Sequence, residues 1–276
     1  MTKLTAKWHS ERLGKDVNVV RWGELGTPVL IFPTAAGDAE ECERFLMLRV
    51  LSELLEQKRV KLYSVDSIAG QAWIDRDLPR DRAAHVQNQF DEFVYRELVP
   101  AIRTDCNDPN AEIVVTGASI GAFNALAALC RHPDVFSKAI CMSGTYDIER
   151  LFTEGKVSRE LWHASPLHFM PPMPPGEHLE KLKSRFVLFA HGQGRAEDPN
   201  QNWKMANILG AKGIPNRVDD WGKDWPHDWQ TWRAMLPKYL GELVPGTSTY
   251  RADLPMCVDA ACTLEGLVFS PVPLAS

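Results

Sequence analysis

The sequence predicts an α/β fold in which a mostly parallel central sheet is covered by helices on both faces. Short apolar runs alternate with stretches of helical periodicity, and this alternation is typical of parallel sheets built from strand-helix units. The composition agrees, because 45% of the 276 residues are hydrophobic and 24% are charged. The length suits one domain, predicted over residues 1–245, with 246–276 as a C-terminal extension.

The predicted elements follow one another in a regular order. The predicted strands, most of them rich in apolar residues, lie at residues 17–22, 29–32, 60–65, 113–116, 137–142, 185–190 and 217–221. The helices have apolar residues at helical spacing, at residues 39–55, 82–102, 124–129, 202–209 and 229–240. Between 145 and 180, five prolines interrupt any period, which favours an irregular, cap-like insertion on the substrate side of the same domain.

Charge and composition exclude several classes of partner. A net charge of −5 provides no basic surface for nucleic acid or for an anionic membrane. The N-terminus has no apolar signal region, and no run approaches the roughly 18 apolar residues of a membrane span, so a cytoplasmic location is expected. The six cysteines form no CxxC pair, which favours buried thiols over disulfides or metal ligands.

One motif carries candidate chemistry. Gly117-Ala118-Ser119-Ile120-Gly121 lies between a predicted strand and a predicted helix. In α/β hydrolases such a turn projects a nucleophilic serine from the sheet, and a side chain at either glycine would collide with the neighbouring strand or helix. Because a random chain of this length contains GxSxG about one time in ten, an ordinary glycine-rich turn is the alternative.

A serine nucleophile needs a histidine base, an acid that orients it, and two backbone donors for the oxyanion. His227 is the best base, because it follows the last predicted strand and precedes the last predicted helix. A plainer interpretation is a residue beside a helix N-cap, packed among tryptophans. The remaining histidines lie away from strand ends or upstream of the acid: His9, His85, His132, His163, His168, His178 and His191.

The acid is predicted on the loop after the strand at 185–190. Glu197 and Asp198 are adjacent there, and either side chain could reach His227. An acidic pair in a loop is also typical of solvated surface. The weaker candidates are Asp38, Asp66, Asp220 and Asp224.

Three blocks of sequence resemble the esterase D family of α/β hydrolases, which includes S-formylglutathione hydrolases and the mycobacterial mycolyltransferases. They are the Ser119 motif, Gln193-Gly194-Arg195-Ala196-Glu197, and His227-Asp228-Trp229-Gln230-Thr231-Trp232. The last is the most specific, because two tryptophans stand at fixed offsets from a histidine. The resemblance covers about residues 17–240 and implies an α/β-hydrolase fold, with Glu197 as the acid where aspartate is more usual.

The resemblance also implies the reaction. Ser119 would attack a carboxylic ester and form an acyl-enzyme that water releases, with no metal or organic cofactor. The family's His-Gly-Gly type oxyanion sequence is replaced by Pro33-Thr34-Ala35-Ala36-Gly37, so only backbone donors carry over, namely Ile120 and Ala35 or its neighbour.

Two alternatives to hydrolysis and one structural question stay open. The same triad would serve an acyltransferase, and a non-catalytic binding protein could use the same scaffold. The stretch 246–276 is too apolar for a solvated tail, and is expected to pack across the domain or against another subunit of a homo-oligomer.

Overall fold

Eight β-strands form the central sheet in a computed structural model of the protein, which describes residues 2–153 and 155–244. They are β1 Lys3–Ser10, β2 Lys15–Trp22, β3 Thr27–Phe32, β4 Val60–Val65, β5 Ile113–Ala118, β6 Phe136–Met142, β7 Phe186–His191 and β8 Asn216–Asp220. The seven predicted strands are all confirmed. The predicted extension at 246–276, with Cys257 and Cys262, lies outside the described residues.

The sheet has the strand order β1-β2-β4-β3-β5-β6-β7-β8. β1 and β2 are antiparallel at one edge, whereas β4 to β8 and β3 run parallel to one another. The register places Phe32 beside Gly117 and Ala118 beside Met142. The carboxyl ends of β3, β5, β6, β7 and β8 therefore meet at one edge, where α/β sheets usually carry their sites.

Helices cover both faces of the sheet. In the described residues they are α1 Glu41–Arg44, α2 Met47–Val50, α3 Ser52–Glu56, α4 Ile68–Ile74, α5 Arg80–Phe93, α6 Val99–Asp105, α7 Ile120–Arg131, α8 Ile148–Phe152, α9 Arg159–Ala164, α10 Pro166–Phe169, α11 Glu177–Lys183, α12 Pro199–Ala211 and α13 Trp229–Leu243, and a π-helical segment, Val94–Leu98, joins α5 to α6. Successive strand residues serve opposite cores: Leu30 packs with α5 and α7, and Ile31 packs with α13.

The helix predicted at 39–55 is wrong as a single element. The structure has the three short helices α1, α2 and α3 in its place, and Leu46 lies between the first two with a φ of 62°. A left-handed residue reverses the direction of the chain and ends the first helix. The apolar spacing still buries Cys42, Met47 and Leu51, which explains why the pattern looks like one helix.

The sequence did not predict β1 and α4, and the region 145–180 is more regular than predicted. In β1, exposed and half-buried residues alternate at the sheet edge, which gives a weak apolar signal. The helix α4 contains Gly70, whose missing side chain lets it approach Ala35: a Cβ there would lie 2.9 Å from the Ala35 Cα. The region 145–180 forms α8 to α11, and helices of four to seven residues are too short to show a period.

The described cysteines are free thiols. Cys42, Cys130 and Cys141 are buried, as predicted, and Cys106 is partly exposed. Burial raises the pKa of Cys42 and of Cys141 to about 12 each, so both stay protonated near neutral pH. Separately, none of the helices in 2–153 and 155–244 is long and apolar enough to cross a membrane.

The two glycines of the Ser119 motif have the steric role that the sequence predicts. A Cβ on Gly117 would lie 2.4 Å from the carbonyl carbon of Gly121, so β5 and α7 touch through their backbones. A Cβ on Gly121 would lie 2.3 Å from the oxygen of Phe32 and 2.7 Å from that of Pro33. The start of α7 is therefore packed directly against the end of β3.

Gly121→Ala is expected to lower the free energy of unfolding by about 1–3 kcal/mol, the usual cost of overpacking, because the new methyl group meets backbone that cannot move aside. Chemical denaturation measures this change. The matched control is Gly241→Ala in α13, where a Cβ would meet nothing within 4 Å and helix propensity predicts a stabilisation of up to about 1 kcal/mol. Equal stability of the two variants would contradict the close approach.

Candidate active site

Ser119 lies at the junction of β5 and α7, as predicted. It is the N-cap of α7, with φ 57° and ψ −121°, a conformation that a residue with a side chain rarely adopts. Its N–H donates to the Met142 oxygen (3.0 Å), and its own carbonyl accepts the N–H of Thr145 (3.1 Å). The residue is only partly buried. The end of β6 thus holds a strained turn whose hydroxyl is accessible.

The hydroxyl of Ser119 lies beside the N-terminus of α7. Its Oγ is 3.3 Å from Thr145 Oγ1. The N–H of Ile120, the first residue of the twelve-residue helix, donates to no protein acceptor in the described residues. A free N–H at a helix N-terminus favours negative charge. The Ile120 N–H is therefore available to an anion next to Ser119.

His227 lies on the loop between β8 and α13. Its backbone N–H donates to the Arg195 oxygen (3.0 Å), which ties this loop to the loop after β7. The imidazole is edge-on to Trp232, with 5.2 Å between ring centroids, and its side chain is 21% exposed. The second tryptophan of the His227 block, at position 232, therefore packs against the histidine.

Glu197 lies beneath His227. Its carboxylate is 1% exposed, and Oε2 is 3.8 Å from His227 Nδ1, within ion-pair range but longer than a hydrogen bond. Oε1 accepts a hydrogen bond from Ser143 Oγ at 2.6 Å. A buried carboxylate next to an imidazole can stabilise the charged form of that imidazole.

Asp198 points to other partners. Its Oδ2 accepts from Arg150 (3.0 Å) and from Gln201 (3.3 Å), and the side chain is 39% exposed. The residues alone left the choice between Glu197 and Asp198 open. The geometry favours Glu197. The two carboxylates therefore have different partners, and the one next to His227 is that of Glu197.

Three of the four weaker candidates have other partners, and one of these, Asp220, accepts from the Gly222 N–H (2.9 Å). Asp38 pairs with Arg44 (2.8 Å), and Asp66 accepts from the Asn18 amide (2.9 Å). His191, set aside in the sequence because it precedes the acid, is fully buried, and its Nδ1 donates to the Gly192 oxygen (2.9 Å).

Two glycines bring the Glu197 loop and the His227 loop together. A Cβ on Gly192 would lie 1.8 Å from the Trp225 oxygen, and one on Gly194 would lie 2.8 Å from the Pro226 nitrogen. The Gly194 N–H donates to the same Trp225 oxygen (3.0 Å). Direct backbone contact therefore sets the distance between the two loops.

Ser143 is a site residue that the sequence did not single out. Its Oγ donates to Glu197 and accepts from Trp232 Nε1 (3.0 Å), so one hydroxyl connects the Glu197 carboxylate to the tryptophan that packs on the His227 imidazole. Ser143 has a φ of 46° and is buried. The available signal was its position directly after β6, between the strands of the nucleophile and the acid.

The structure brings Ser119, Glu197 and His227 to the carboxyl ends of β5, β7 and β8. Within residues 2–153 and 155–244 no hydrogen bond joins Ser119 to His227, because the serine hydroxyl lies against Thr145. Catalytic hydrogen bonds of this kind are often long before substrate binds. The arrangement places a serine, a buried carboxylate and a histidine after β5, β7 and β8, in the chain order that the sequence predicts.

The predicted second oxyanion donor, Ala35, lies in the turn that follows β3. Gly37 N–H donates to the Thr34 oxygen (3.0 Å), which makes Ala35 and Ala36 the central residues of a β-turn. The contact of Gly121 with Pro33 places this turn next to the start of α7.

Comparison with known proteins agrees with this architecture. A family model described as "Putative esterase" matches residues 66–243. No curated protein sequence matches the chain. Among solved structures, a ferulic acid esterase has 16% identity and a TM-score of 0.68, over 88% of this chain and 97% of its own.

Two further structures show the same fold. An S-formylglutathione hydrolase from Agrobacterium tumefaciens has 12% identity and a TM-score of 0.66, over 88% of this chain and 95% of its own. MPT51 from Mycobacterium tuberculosis has 16% identity and a TM-score of 0.62, over 88% of this chain and 98% of its own. At these identities the likeness concerns the fold, and the predicted α/β-hydrolase fold is confirmed.

Proposed function

The chain belongs to the family described as "Putative esterase" and is a carboxylic ester hydrolase; from this premise we propose that Ser119, His227 and Glu197 form its catalytic triad. The observation that carries the proposal is that a serine, a histidine and a buried carboxylate follow three neighbouring parts of the same sheet edge, with the histidine next to the carboxylate. A buried glutamate lies 3.8 Å from the imidazole, and a strained serine lies at the elbow between β5 and α7.

The reaction begins at Ser119. As Oγ turns from Thr145 toward His227, the imidazole takes its proton and the oxygen attacks the ester carbonyl. His227 then gives the proton to the leaving alcohol, and an acyl group remains on Ser119. A water molecule, deprotonated by His227, attacks the acyl carbon. The bond from this carbon to Ser119 Oγ then breaks, the carboxylic acid leaves, and His227 returns the proton to Oγ.

Glu197 acts on the charge of His227. The imidazole becomes positive in each half of the reaction, and the carboxylate next to Nδ1 stabilises that charge and fixes the tautomer. Ser143 holds Oε1, which leaves Oε2 directed at the histidine. Burial strengthens the interaction, since the effective dielectric around a 1% exposed carboxylate is low.

The backbone N–H groups of Ile120 and Ala35 receive the negative charge of the tetrahedral intermediate. Preorganised donors of this kind contribute about 3–4 kcal/mol each to barrier lowering, since they need no reorientation as charge develops. The substrates are small-molecule esters. The cytoplasmic location and a homo-oligomeric state stay predictions from the sequence.

Ser119→Ala is expected to lower kcat for p-nitrophenyl acetate by about 10⁴- to 10⁶-fold, because the nucleophile is lost and only binding and the oxyanion donors remain. The variant is also expected to lose labelling by a fluorophosphonate probe. Steady-state assays measure kcat, gel fluorescence measures the probe labelling, and thermal unfolding checks that the variant is folded. Hydrolysis by the variant at the wild-type rate would remove Ser119 from the mechanism.

Glu197→Gln and Asp198→Asn form a matched pair. We expect the first to lower kcat by about 10²- to 10⁴-fold, because a neutral amide no longer stabilises the imidazolium. The second should stay within about threefold of wild type, because Asp198 makes a partly exposed ion pair with Arg150. The measurement is the pH profile of kcat and of kcat/KM for both variants. A larger loss of kcat in Asp198→Asn than in Glu197→Gln would assign the acid to Asp198.

Ser143→Ala is expected to lower kcat by about 10- to 100-fold with little change in KM, because Glu197 loses a hydrogen bond of the charged type. Ser165→Ala is the control, since Ser165 is also fully buried and its Oγ has no hydrogen-bond partner in the described residues. Steady-state kinetics of the two proteins give the comparison. If both substitutions lowered kcat equally, Ser143 would have no specific role.

A further inference from the structure

The oxyanion turn, Thr34 to Gly37, is fixed at its first residue by a carboxylate. Both oxygens of Glu41 accept hydrogen bonds from Thr34: Oε2 from the backbone N–H (2.7 Å) and Oε1 from Oγ1 (2.5 Å). Glu41 is 4% exposed, and burial raises the pKa of its carboxyl. A buried carboxylate is costly unless its oxygens are paired, so this contact is a built feature of the loop.

Of the four N–H groups in the turn, two are hydrogen-bonded within the protein, one of them to Glu41. The Thr34 N–H is occupied by the carboxylate, and the Gly37 N–H is occupied by the Thr34 oxygen. In the described part of the chain, the N–H groups of Ala35 and Ala36 donate to no protein acceptor. The central positions of the turn are thus the ones available to an oxyanion.

The last residue of the turn is fixed as well. The Gly37 oxygen accepts from Gln71 Nε2 of α4 (3.0 Å). A Cβ on Gly37 would lie 2.5 to 2.6 Å from the carboxylate atoms of Glu41. Glycine at this position therefore leaves the room that Glu41 needs to reach Thr34.

We propose that Glu41 is a positioning residue that holds the oxyanion turn so that the free N–H groups of Ala35 and Ala36 lie beside that of Ile120. The contact of Gly121 with the Pro33 oxygen, 2.7 Å from a Cβ there, sets the neighbouring end of the turn against α7. This role rests on the proposed function, because it concerns the oxyanion of the Ser119 reaction. It assigns a purpose to a buried acid outside the triad.

The test compares Glu41→Ala, Glu41→Gln and the control Glu43→Ala in the full 276-residue chain. Glu43 is on the same helix but pairs with Lys3 at the surface. With p-nitrophenyl acetate, Glu41→Ala should lower kcat by about 10- to 100-fold with KM within about threefold, because oxyanion donors act on the transition state. Glu41→Gln should recover most of the loss, since its amide oxygen still accepts the Thr34 N–H, and Glu43→Ala should match wild type.

An inhibitor separates oxyanion binding from general loss of structure. Ser119 Oγ adds to the carbonyl carbon of a trifluoromethyl ketone, His227 takes the proton, and the carbonyl oxygen becomes an oxyanion. Its inhibition constant should rise in Glu41→Ala by the same factor as kcat/KM falls. An unchanged inhibition constant, or a kcat within twofold of wild type, would overturn the proposal.

Substitutions in the turn itself keep the test decisive if Glu41→Ala does not fold. Gly37→Ala should lower kcat, because the new Cβ would lie 2.5 to 2.6 Å from the Glu41 carboxylate atoms and displace them. Thr34→Val should lower kcat and Thr34→Ser should restore it. Wild-type activity in Gly37→Ala and Thr34→Val would overturn the role of Glu41, whereas equal activity of wild type and Ser119→Ala would overturn the proposed function instead.

Discussion

The backbone contact between β3, β5 and α7 is the constraint on which the site depends. Gly117 and Gly121 have no Cβ, so the helix approaches the strands to a distance that any side chain would prevent. The chain can enter α7 at this distance only through a sharp turn, and Ser119 takes the strained conformation there. The same contact puts the Ile120 N–H next to the turn after β3. One steric condition therefore places both Ser119, the proposed nucleophile, and the two sides of the proposed oxyanion site.

The carboxylates at this edge of the sheet are held differently from those elsewhere in the core. Glu41 and Glu197 accept hydrogen bonds from neutral groups, the N–H and hydroxyl of Thr34 and the hydroxyl of Ser143. By contrast, the buried Asp105 is paired with the cations of Arg21 and Lys61. A nearby cation would offset the field of Glu197, whereas a neutral donor leaves that charge to act on the imidazole.

Much of the fold was predictable because the sequence patterns that indicate its strands and helices are local. Strands buried on both faces, such as β3 and β5, contain continuous apolar runs at residues 29–32 and 113–115, and the helices α5 and α13 have long amphipathic spacing. The predictions were wrong or missing where a signal was short or interrupted. Leu46 breaks the helix predicted at 39–55 through a backbone angle that apolar spacing does not encode, and the short helices between 145 and 180 have too few residues for a period.

The sequence by itself determined the fold class and pointed to Ser119, His227 and the pair Glu197 and Asp198, because each lies just after a readable strand or inside a distinctive motif. The resemblance favoured Glu197 over Asp198, but only the tertiary structure showed which carboxylate faces the histidine, because side-chain direction depends on how the loop folds. It alone also revealed Ser143 and Glu41. Their partners lie on other elements, and hydrogen bonds between residues 54 positions apart, as for Ser143 and Glu197, leave no local pattern.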